Sequence, residues 1–405
     1  MNEEEETFDQ TILATAEKVM AERLGGKVKL GAITKRDKRY RSLMLWCPVL
    51  EAPGGTAERV IIKGITADEG KPYDPNDAQP YSPVTRLYNE WAGAQFLEGL
   101  GLTPPLSPRF YGGDHPLGFV VLEDLGEGAC LADKLQGDDP AQAESFLLAY
   151  ATTLGRMHAA TTRKETAFAT LRDGLSPRKE QEKSRLGDWY TNELAQFRAV
   201  CETLQVKLPI GFDADITTIV EAIENPGPFL AFTPGDSCPD NHRVLSDGMR
   251  LFDFEWCEYR HALIDMVYLR VPFPTCWCVN RLPDGLVDTL EAAYRTELVL
   301  GCPEAAEEGI FYKALVALCG YWTVRTIGWS LAGALEKDND WGISSIRNRA
   351  LLRLDTFLGA SDQFGHLPAL AGTAYDLVTK LRSLWPSETE MPLYPTFRPN
   401  VGSVA

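Results

Sequence analysis

Residues 231–256 decide the fold, and they are AFTPGDSCPDNHRVLSDGMRLFDFEW. Asp236 follows a Pro-Gly pair among turn-forming residues. Asn241 follows closely enough for one irregular loop to present both side chains. Phosphoryl transfer with Mg²⁺ needs oxygen ligands for the metal and a carboxylate that orients or deprotonates the attacking hydroxyl. This stretch offers both, so it indicates phosphoryl transfer.

A short β-hairpin is predicted after Asn241. Residues 243–245 form one strand, residues 246–248 the turn and residues 250–252 the returning strand. The returning strand brings Asp253 back beside Asn241, and an amide oxygen with a carboxylate suits Mg²⁺. The alternative is that these Asp and Asn residues only shape ordinary turns. Three positions in the required order and spacing favour a metal site.

These motifs resemble the aminoglycoside phosphotransferase and choline kinase-like family. The family signature runs His-Gly-Asp, four residues, Asn, and then a strand pair that ends in Asp-Trp/Phe-Glu. This chain has Pro-Gly-Asp at 234–236, Asn241 and Asp-Phe-Glu at 253–255. The resemblance implies that Asp236 is the catalytic base and that Asn241 and Asp253 are the metal ligands. Pro234 stands where the family has His, so the loop must be braced differently here.

The resemblance also implies an α+β, bilobal protein kinase-like fold. It predicts an N-terminal antiparallel β lobe with one main helix, over residues 1–124, that binds nucleotide. A larger and mainly helical C-terminal lobe, over residues 125–405, would carry the catalytic loop and the acceptor site.

The N-terminal sequence tests this expectation independently. Residues 59–65, RVIIKGI, predict a strand that presents Lys63 to the α- and β-phosphates. Residues 85–97 have apolar residues at helical spacing, with Glu90 in the first half. We expect Glu90 to pair with Lys63 and hold it, rather than both being solvated surface residues.

Residues 118–126 predict another strand. In the resembled family such a segment crosses between the lobes, and its main chain hydrogen-bonds the adenine. The resemblance therefore makes Glu123, Asp124 and Leu125 the candidate adenine-binding residues.

A phosphate-covering glycine loop is the weakest match, since the chain has neither a G-x-G-x-x-G nor a Walker-type motif. The equivalent hairpin is predicted within residues 28–46, where Lys35, Arg36, Lys38 and Arg39 crowd the turn. Such side chains could contact phosphate directly. A solvated hairpin tip is the favoured interpretation.

Helices are predicted for most of the C-terminal part. The helix over residues 141–161 carries His158, which could support the catalytic loop from behind, and Asp265 is interpreted as a brace near a helix start. Residues 286–384 are also mainly helical in pattern, with aromatic residues along them. These rings, with Glu255 or Glu258, could hold an ammonium group, although core packing is favoured.

Length and composition agree with this division. The chain has 405 residues, of which 44% are hydrophobic, so it can bury a substantial core. Its formal charge of −17 argues against nucleic acid as a partner and fits a cationic or neutral small substrate. The nine Cys residues include no C-x-x-C pair, and no stretch is apolar enough for a membrane span. A cytoplasmic protein with free thiols is therefore predicted, with mobile or surface-wrapping ends.

The sequence thus predicts an ATP- and Mg-dependent phosphotransferase that transfers the γ-phosphate to a hydroxyl of a small molecule. One alternative is a nucleotide-binding pseudokinase that acts as a scaffold or regulator. Another is a helical protein-binding protein in which the motifs are accidental. The acceptor, the choice of ATP or GTP, and the oligomeric state stay open at this point.

Overall fold

The chain divides into a β-rich first part and a mainly helical second part. The computed structural model describes residues 3–39, 41–66, 73–77, 79, 82–175, 186–388 and 390–399. The helices of the first part are α1 (Glu3–Leu24) and α2 (Pro83–Gly99). Its strands are β1 (Lys29–Leu30), β2 (Lys35–Lys38), β3 (Ser42–Glu51), β4 (Arg59–Ile65), β5 (Phe110–Asp114) and β6 (Phe119–Glu123).

These strands form one six-stranded antiparallel sheet. Its order is β1-β3-β4-β6-β5, and β2 pairs with the other part of β3. The strand predicted over residues 59–65 is β4, the predicted strand near residues 118–126 contains β6, and the predicted helix of residues 85–97 lies within α2. The α+β class, with an antiparallel β lobe that carries one main helix on its inner face, is therefore confirmed. The boundary predicted at residue 124 falls between β6 and the next helix, and it stays a prediction.

Alternation along β4 decides which way Lys63 faces. Val60 and Ile62 are buried in the small core under α1, whereas Ile65 belongs to the large core on the other side of the sheet. Because successive strand residues point to opposite faces, Lys63 lies on the same side as Ile65. That side carries α2, so the strand period itself directs Lys63 toward Glu90.

Helix α1 corrects one expectation about the start of the chain. The acidic N-terminus was predicted to be mobile or to wrap the surface, yet a helix begins at Glu3. Ile12, Ala16 and Met20 are buried at a spacing of four residues and pack on the outer face of the sheet. This apolar stripe is what holds the helix in place.

The second part is built mainly from helices. They are α3 (Leu131–Leu135), α4 (Pro140–Thr161), α5 (Glu165–Leu175), α6 (Leu186–Thr203), α7 (Phe212–Glu224), α8 (Leu263–Met266), α9 (Leu286–Leu298), α10 (Glu308–Glu336), α11 (Ile346–Phe364) and α12 (Pro368–Leu384). Two-stranded ladders join β7 (Leu230–Thr233) to β10 (Glu258–His261), β8 (His242–Leu245) to β9 (Gly248–Leu251), and β11 (Asp340–Trp341) to β12 (Ser344–Ser345).

Helix α10 is the centre of the helical lobe. It packs against α6, α7 and α11, and it is apolar around most of its circumference, as expected for a helix buried on several sides. Tyr294, Tyr321 and Trp322 are buried in the same core, which supports the core-packing interpretation of these rings. Trp329 is half exposed, so core packing does not account for this ring.

The tail after α12 lies along the helical lobe. Leu393 forms a parallel β-bridge with Arg281, and the Tyr394 hydroxyl donates to the carbonyl of Cys278 at 2.7 Å. Of the two predictions for this end, the surface wrap is the one that its described residues follow. None of the helices in the described part of the chain is both long and apolar enough to cross a membrane.

Candidate active site

The catalytic loop begins with a turn that only glycine can make. Gly235 has φ +85°, and a Cβ atom there would lie 1.9 Å from the carbonyl oxygen of Trp256. Both the backbone conformation and the close approach therefore require glycine. This turn follows β7 directly and leaves Asp236 partly exposed at the start of the loop.

Asn241 is held against Asp236. Its Nδ2 donates to the main-chain oxygen of Asp236 at 3.0 Å and to the carboxylate Oδ2 at 3.2 Å. Phe252 N–H donates to the carbonyl of Asn241 at 3.1 Å, so the hairpin brings Asp253 back beside the loop. The Oδ1 atom of Asn241 accepts no hydrogen bond from the described residues. This oxygen is available to a hard cation.

Asp253 has a backbone conformation that is rare for its residue type. Its φ is +71°, in the left-handed region. Such strain persists where the surrounding structure imposes it, and it is common at functional sites. The Oδ1 atom of Asp253 lies 2.6 Å from Lys63 Nζ, and that nitrogen lies 3.0 Å from Glu90 Oε2. The structure thus brings five of the predicted site residues close together, namely Lys63, Glu90, Asp236, Asn241 and Asp253.

Burial and charge shift the pKa values of three of these groups. Burial, with the negative charges of Asp253 and Asp240, raises the pKa of Asp236 to about 7. Burial raises the pKa of Glu90, and Lys63 opposes that effect. Burial alone would lower the pKa of Lys63, but the nearby carboxylates raise it above its usual value. Lys63 therefore carries a full positive charge at neutral pH.

Other contacts brace the loop in place of the family His. The Tyr150 hydroxyl, from α4, donates to the carbonyl of Ser237 at 2.8 Å. The indole N–H of Trp277 donates to Asp240 at 3.0 Å. A disulfide joins Cys238, between Asp236 and Asn241, to Cys276. The loop is thus tied on two sides without an imidazole at position 234.

The disulfide corrects the prediction that all thiols are free. The two cysteines are separated by 38 residues, and only the path of the chain after α8 brings them together. Both sulfur atoms and a carboxylate oxygen of Asp236 lie within 4.8 Å of one another. The other seven cysteines are free and buried.

Glu255 pairs with an arginine of the chain, whereas the sequence suggested that it could bind a ligand ammonium group. Its carboxylate lies 3.1 Å from Nη1 of Arg86 on α2, and its carbonyl accepts from the amide of Asn89 at 3.2 Å. Gly93, on the same helix, lets Phe254 approach closely, since a Cβ there would lie 2.8 Å from Phe254 Cβ. Glu255 thus fastens α2 to the segment after Asp253 instead of offering a free charge to an ammonium group.

In the crossing segment, Leu125 has both of its main-chain groups free of hydrogen bonds to described residues. Glu123 N–H donates to the carbonyl of Arg109, and Asp124 N–H donates to that of Arg59. The carboxylate of Asp124 also pairs with Arg59 at 2.9 Å. Among the residues that the structure describes, Leu125 N–H and C=O make no hydrogen bond. Of the three candidates for adenine binding, Leu125 has the groups that are free.

The cationic hairpin between β2 and β3 makes contacts within its own lobe. Lys35 Nζ lies 4.6 Å from the centre of the Trp46 ring, Arg36 pairs with Asp9, and Arg39 pairs with Asp37. Arg41 differs, because its guanidinium lies 5.8 Å from the centre of the Trp256 ring in the other lobe. These pairings support the solvated-tip interpretation for Lys35, Arg36 and Arg39, whereas the contact of Arg41 was not predicted.

His158 and Asp265 form a buried brace behind the site. His158 Nε2 lies 3.5 Å from Asp265 Oδ2, and His158 Nδ1 lies 2.8 Å from the Tyr294 hydroxyl. The contact links α4, α8 and α9. Asp265 was predicted to brace a helix start, and its observed partner is this imidazole.

The chain matches one protein-family model and resembles several solved structures. A family model described as "Phosphotransferase enzyme family" matches residues 75–306. No curated protein sequence matches with significance. Similar solved structures include the choline kinase from Cryptosporidium parvum Iowa II, at 10% identity, with 91% of this chain and 99% of that one covered and a TM-score of 0.47. A choline/ethanolamine kinase family protein from Mesorhizobium loti matches at 15% identity, covering 89% and 99%, with a TM-score of 0.43.

Because these TM-scores are below 0.5, we draw no conclusion about this chain from the similar structures. The match of the family model decides its membership, because it spans more than half of the sequence and includes the loop from Asp236 to Asp253. The chain belongs to the phosphotransferase enzyme family.

Proposed function

We propose that this protein is an ATP- and Mg-dependent phosphotransferase that transfers the γ-phosphate to a hydroxyl group of a small molecule. The contact between Lys63 and Asp253 carries the proposal, since it joins residues 190 positions apart at the catalytic loop. A structural protein would have no need to gather a lysine, two carboxylates and a metal-binding amide in one cleft.

Nucleotide binding is assigned to Lys63 and the crossing segment. The free main-chain groups of Leu125 suit the hydrogen-bonding edge of adenine, with Glu123 and Asp124 fixing the strand end. Lys63 is charged and held by Glu90, so it can bind the α- and β-phosphate oxygens.

The metal site is assigned to Asn241 and Asp253. Their donor set fits Mg²⁺, because Asn241 Oδ1 accepts no hydrogen bond from the described residues and Asp253 is a carboxylate that is 36% exposed at its side chain. When bound there, Mg²⁺ would neutralise charge on the β- and γ-phosphate oxygens.

Asp236 is assigned the role of base. Its raised pKa, about 7, makes it a better proton acceptor near neutral pH than an ordinary carboxylate. Asn241 holds the carboxylate by its Nδ2 group. Asp236 accepts the hydroxyl proton as the acceptor oxygen bonds to the γ-phosphorus and the bond from that phosphorus to the ADP oxygen breaks, with the electron pair leaving on ADP.

The test supplies the enzyme with ATP, Mg²⁺ and pools of hydroxyl-bearing metabolites, and it measures the release of ADP. Asp236→Asn should lower kcat by roughly 10²–10⁴-fold, the usual contribution of a positioned base. Asp138→Asn is the matched control, because Asp138 is exposed in the short connection between α3 and α4. Equal turnover in wild type and Asp236→Asn would contradict the assignment. The pseudokinase alternative predicts nucleotide binding without transfer in any pool, and the complete residue set argues against it.

A further inference from the structure

Arg260 lies beside the catalytic loop. Its strand, β10, pairs with β7, and Arg260 is opposite Ala231. The Nε atom of Arg260 donates to Thr233 Oγ1 at 2.9 Å, three positions before Asp236. The Glu258 carboxylate lies 3.9 Å from the same Nε atom. Arg260 is therefore anchored through the Nε edge of its guanidinium.

No described residue accepts a hydrogen bond from the other edge of this guanidinium. Neither Nη atom makes a hydrogen bond with a described residue, although the side chain is only 12% exposed. A cation that is mostly out of water and incompletely hydrogen-bonded has lost hydration without full compensation. An oxyanion that binds the two Nη groups would supply the missing bonds, because the guanidinium fork matches such a group.

Tyr268 contacts the segment that the disulfide joins to the loop of Asp236, since Thr275 precedes Cys276. Its buried hydroxyl lies 2.9 Å from Thr275 Oγ1. Burial and the charge of Asp236 raise the pKa of Tyr268, while the charge of Arg260 opposes the shift. Arg260 also bonds Thr233, the last residue of β7, and the loop that carries Asp236 starts after that residue, so the guanidinium lies at the start of this loop.

Arg325 contacts two of the aromatic rings that were considered for binding an ammonium group. Its guanidinium carbon lies 5.7 Å from the Tyr321 ring centre and 5.4 Å from that of Trp322. It also bonds Glu193 at 3.0 Å and the Tyr321 hydroxyl at 2.6 Å. A cation of the chain therefore already lies against these two rings, which disfavours a ligand ammonium group there. Of the two carboxylates considered for binding an ammonium group, Glu255 pairs with Arg86 and Glu258 lies 3.9 Å from Arg260 Nε.

We propose that the acceptor is a hydroxyl compound that also carries an oxyanion group, a carboxylate or a phosphate, and that the Nη groups of Arg260 bind this group. The inference rests on the proposed function and names the substrate class of the same site. It replaces the cationic or neutral acceptor that net charge alone suggests, because the local field near Arg260 differs from the charge of the whole chain.

The test uses hydroxyl metabolites sorted by charge into four pools: hydroxycarboxylates, phosphorylated alcohols, neutral polyols and amino alcohols. ADP release with ATP and Mg²⁺ is measured for each pool with the wild-type enzyme. Turnover concentrated in one of the two anionic pools supports the proposal, and the active pool tells carboxylate from phosphate. Faster turnover of the neutral or amino-alcohol pool would overturn it while leaving the kinase assignment intact. No turnover of any pool would overturn the kinase assignment and this inference together.

Variants then test Arg260 on the best acceptor from the active pool. Arg260→Gln should raise the KM for the acceptor at least tenfold and leave the KM for ATP unchanged. Arg260→Lys keeps the charge and should recover part of the loss. Arg198→Gln, which removes an exposed pair with Asp213 on α6 and α7, should behave as wild type. An unchanged acceptor KM in folded Arg260→Gln would overturn the role of Arg260. The comparison of pools on the wild-type enzyme stands whether or not that variant folds.

Discussion

Lys63 Nζ lies closer to Asp253 Oδ1, at 2.6 Å, than to Glu90 Oε2, at 3.0 Å. The lysine assigned to the nucleotide phosphates therefore bridges the helix carboxylate and a carboxylate assigned to the metal. We expect nucleotide with Mg²⁺ to compete for Asp253 and leave Lys63 between Glu90 and the phosphates. Glu90 is the partner that would hold the lysine during this exchange.

Replacing Glu90 should weaken nucleotide binding. Glu90→Gln removes the charge that holds Lys63, so we expect the KM for ATP to rise about tenfold, which corresponds to ~1.4 kcal/mol. Steady-state kinetics with varied ATP measures this. Glu98→Gln is the control on the same helix, because Glu98 makes a partly exposed pair with Arg23. If both variants shifted the KM for ATP equally, the specific role of Glu90 would be wrong.

The contact between α2 and the segment after Asp253 should tolerate no added methyl group. At Gly93 a new Cβ would lie 2.8 Å from Phe254 Cβ and 3.0 Å from Cys257 Sγ. We expect Gly93→Ala to lower the free energy of unfolding by about 1–3 kcal/mol, as overpacked sites do. At Gly99, near the end of the same helix, a Cβ would meet nothing within 4 Å.

Gly99→Ala is therefore the matched control, and its effect should be within about 1 kcal/mol, toward stabilisation. Urea unfolding of the two variants compares them directly. Equal destabilisation by both would show that the close approach of Phe254 does not limit this helix.

The disulfide should matter for turnover more than for nucleotide binding. Cys238 lies inside the catalytic loop, whereas Lys63 and Leu125 are held by other elements. We expect dithiothreitol, or Cys238→Ser with Cys276→Ser, to lower kcat several-fold while the KM for ATP stays within twofold, because an unanchored loop positions Asp236 less well. The double variant should not respond further to dithiothreitol. If the kcat of the wild-type enzyme were the same before and after verified reduction of the disulfide, this role of the bridge would be wrong.

Stability should fall as pH drops below 6.5, partly because of His261. Burial, with a smaller contribution from His158, lowers the pKa of His261 from 6.5 to about 3. Its Nδ1 accepts the Leu263 N–H at 3.2 Å, so protonation would break that bond. The unfolded chain takes up the proton near pH 6.5 and the folded chain does not. Folding thus loses about 1.4 kcal/mol per pH unit below 6.5 from this group.

His261→Asn checks that slope, because the Asn oxygen can replace Nδ1 as acceptor and does not titrate. Urea unfolding at pH 7.5 and 5.5 should show a smaller loss in the variant than in wild type. An identical loss would mean that His261 does not contribute.

The local parts of the site could be predicted from sequence. Asp236, Asn241 and Asp253 lie on one loop and one hairpin, so their mutual positions follow from turn chemistry and strand pairing over a short stretch. Lys63 and Glu90 follow from the period of a strand and of a helix, which fixes the face of each.

The contacts that brace the site depend on distant chain paths. The pairing of Cys238 with Cys276 requires the segment after α8 to pass the catalytic loop. Buried arginines of α11 hold that segment, since Arg349 donates to the carbonyl of Cys276 at 2.8 Å and Arg353 to that of Pro274 at 2.6 Å. No periodic or spacing signal in the sequence marks an arginine that binds carbonyls.

The central claim is that this cleft is a metal-dependent nucleotide site, and calorimetric titration of ATP with and without Mg²⁺ tests it most directly. We expect tight binding only with Mg²⁺, its loss in Asp253→Ala, and its retention in Asp236→Asn, since Asp236 acts on the acceptor. Binding of equal strength without Mg²⁺, or in Asp253→Ala, would contradict the claim.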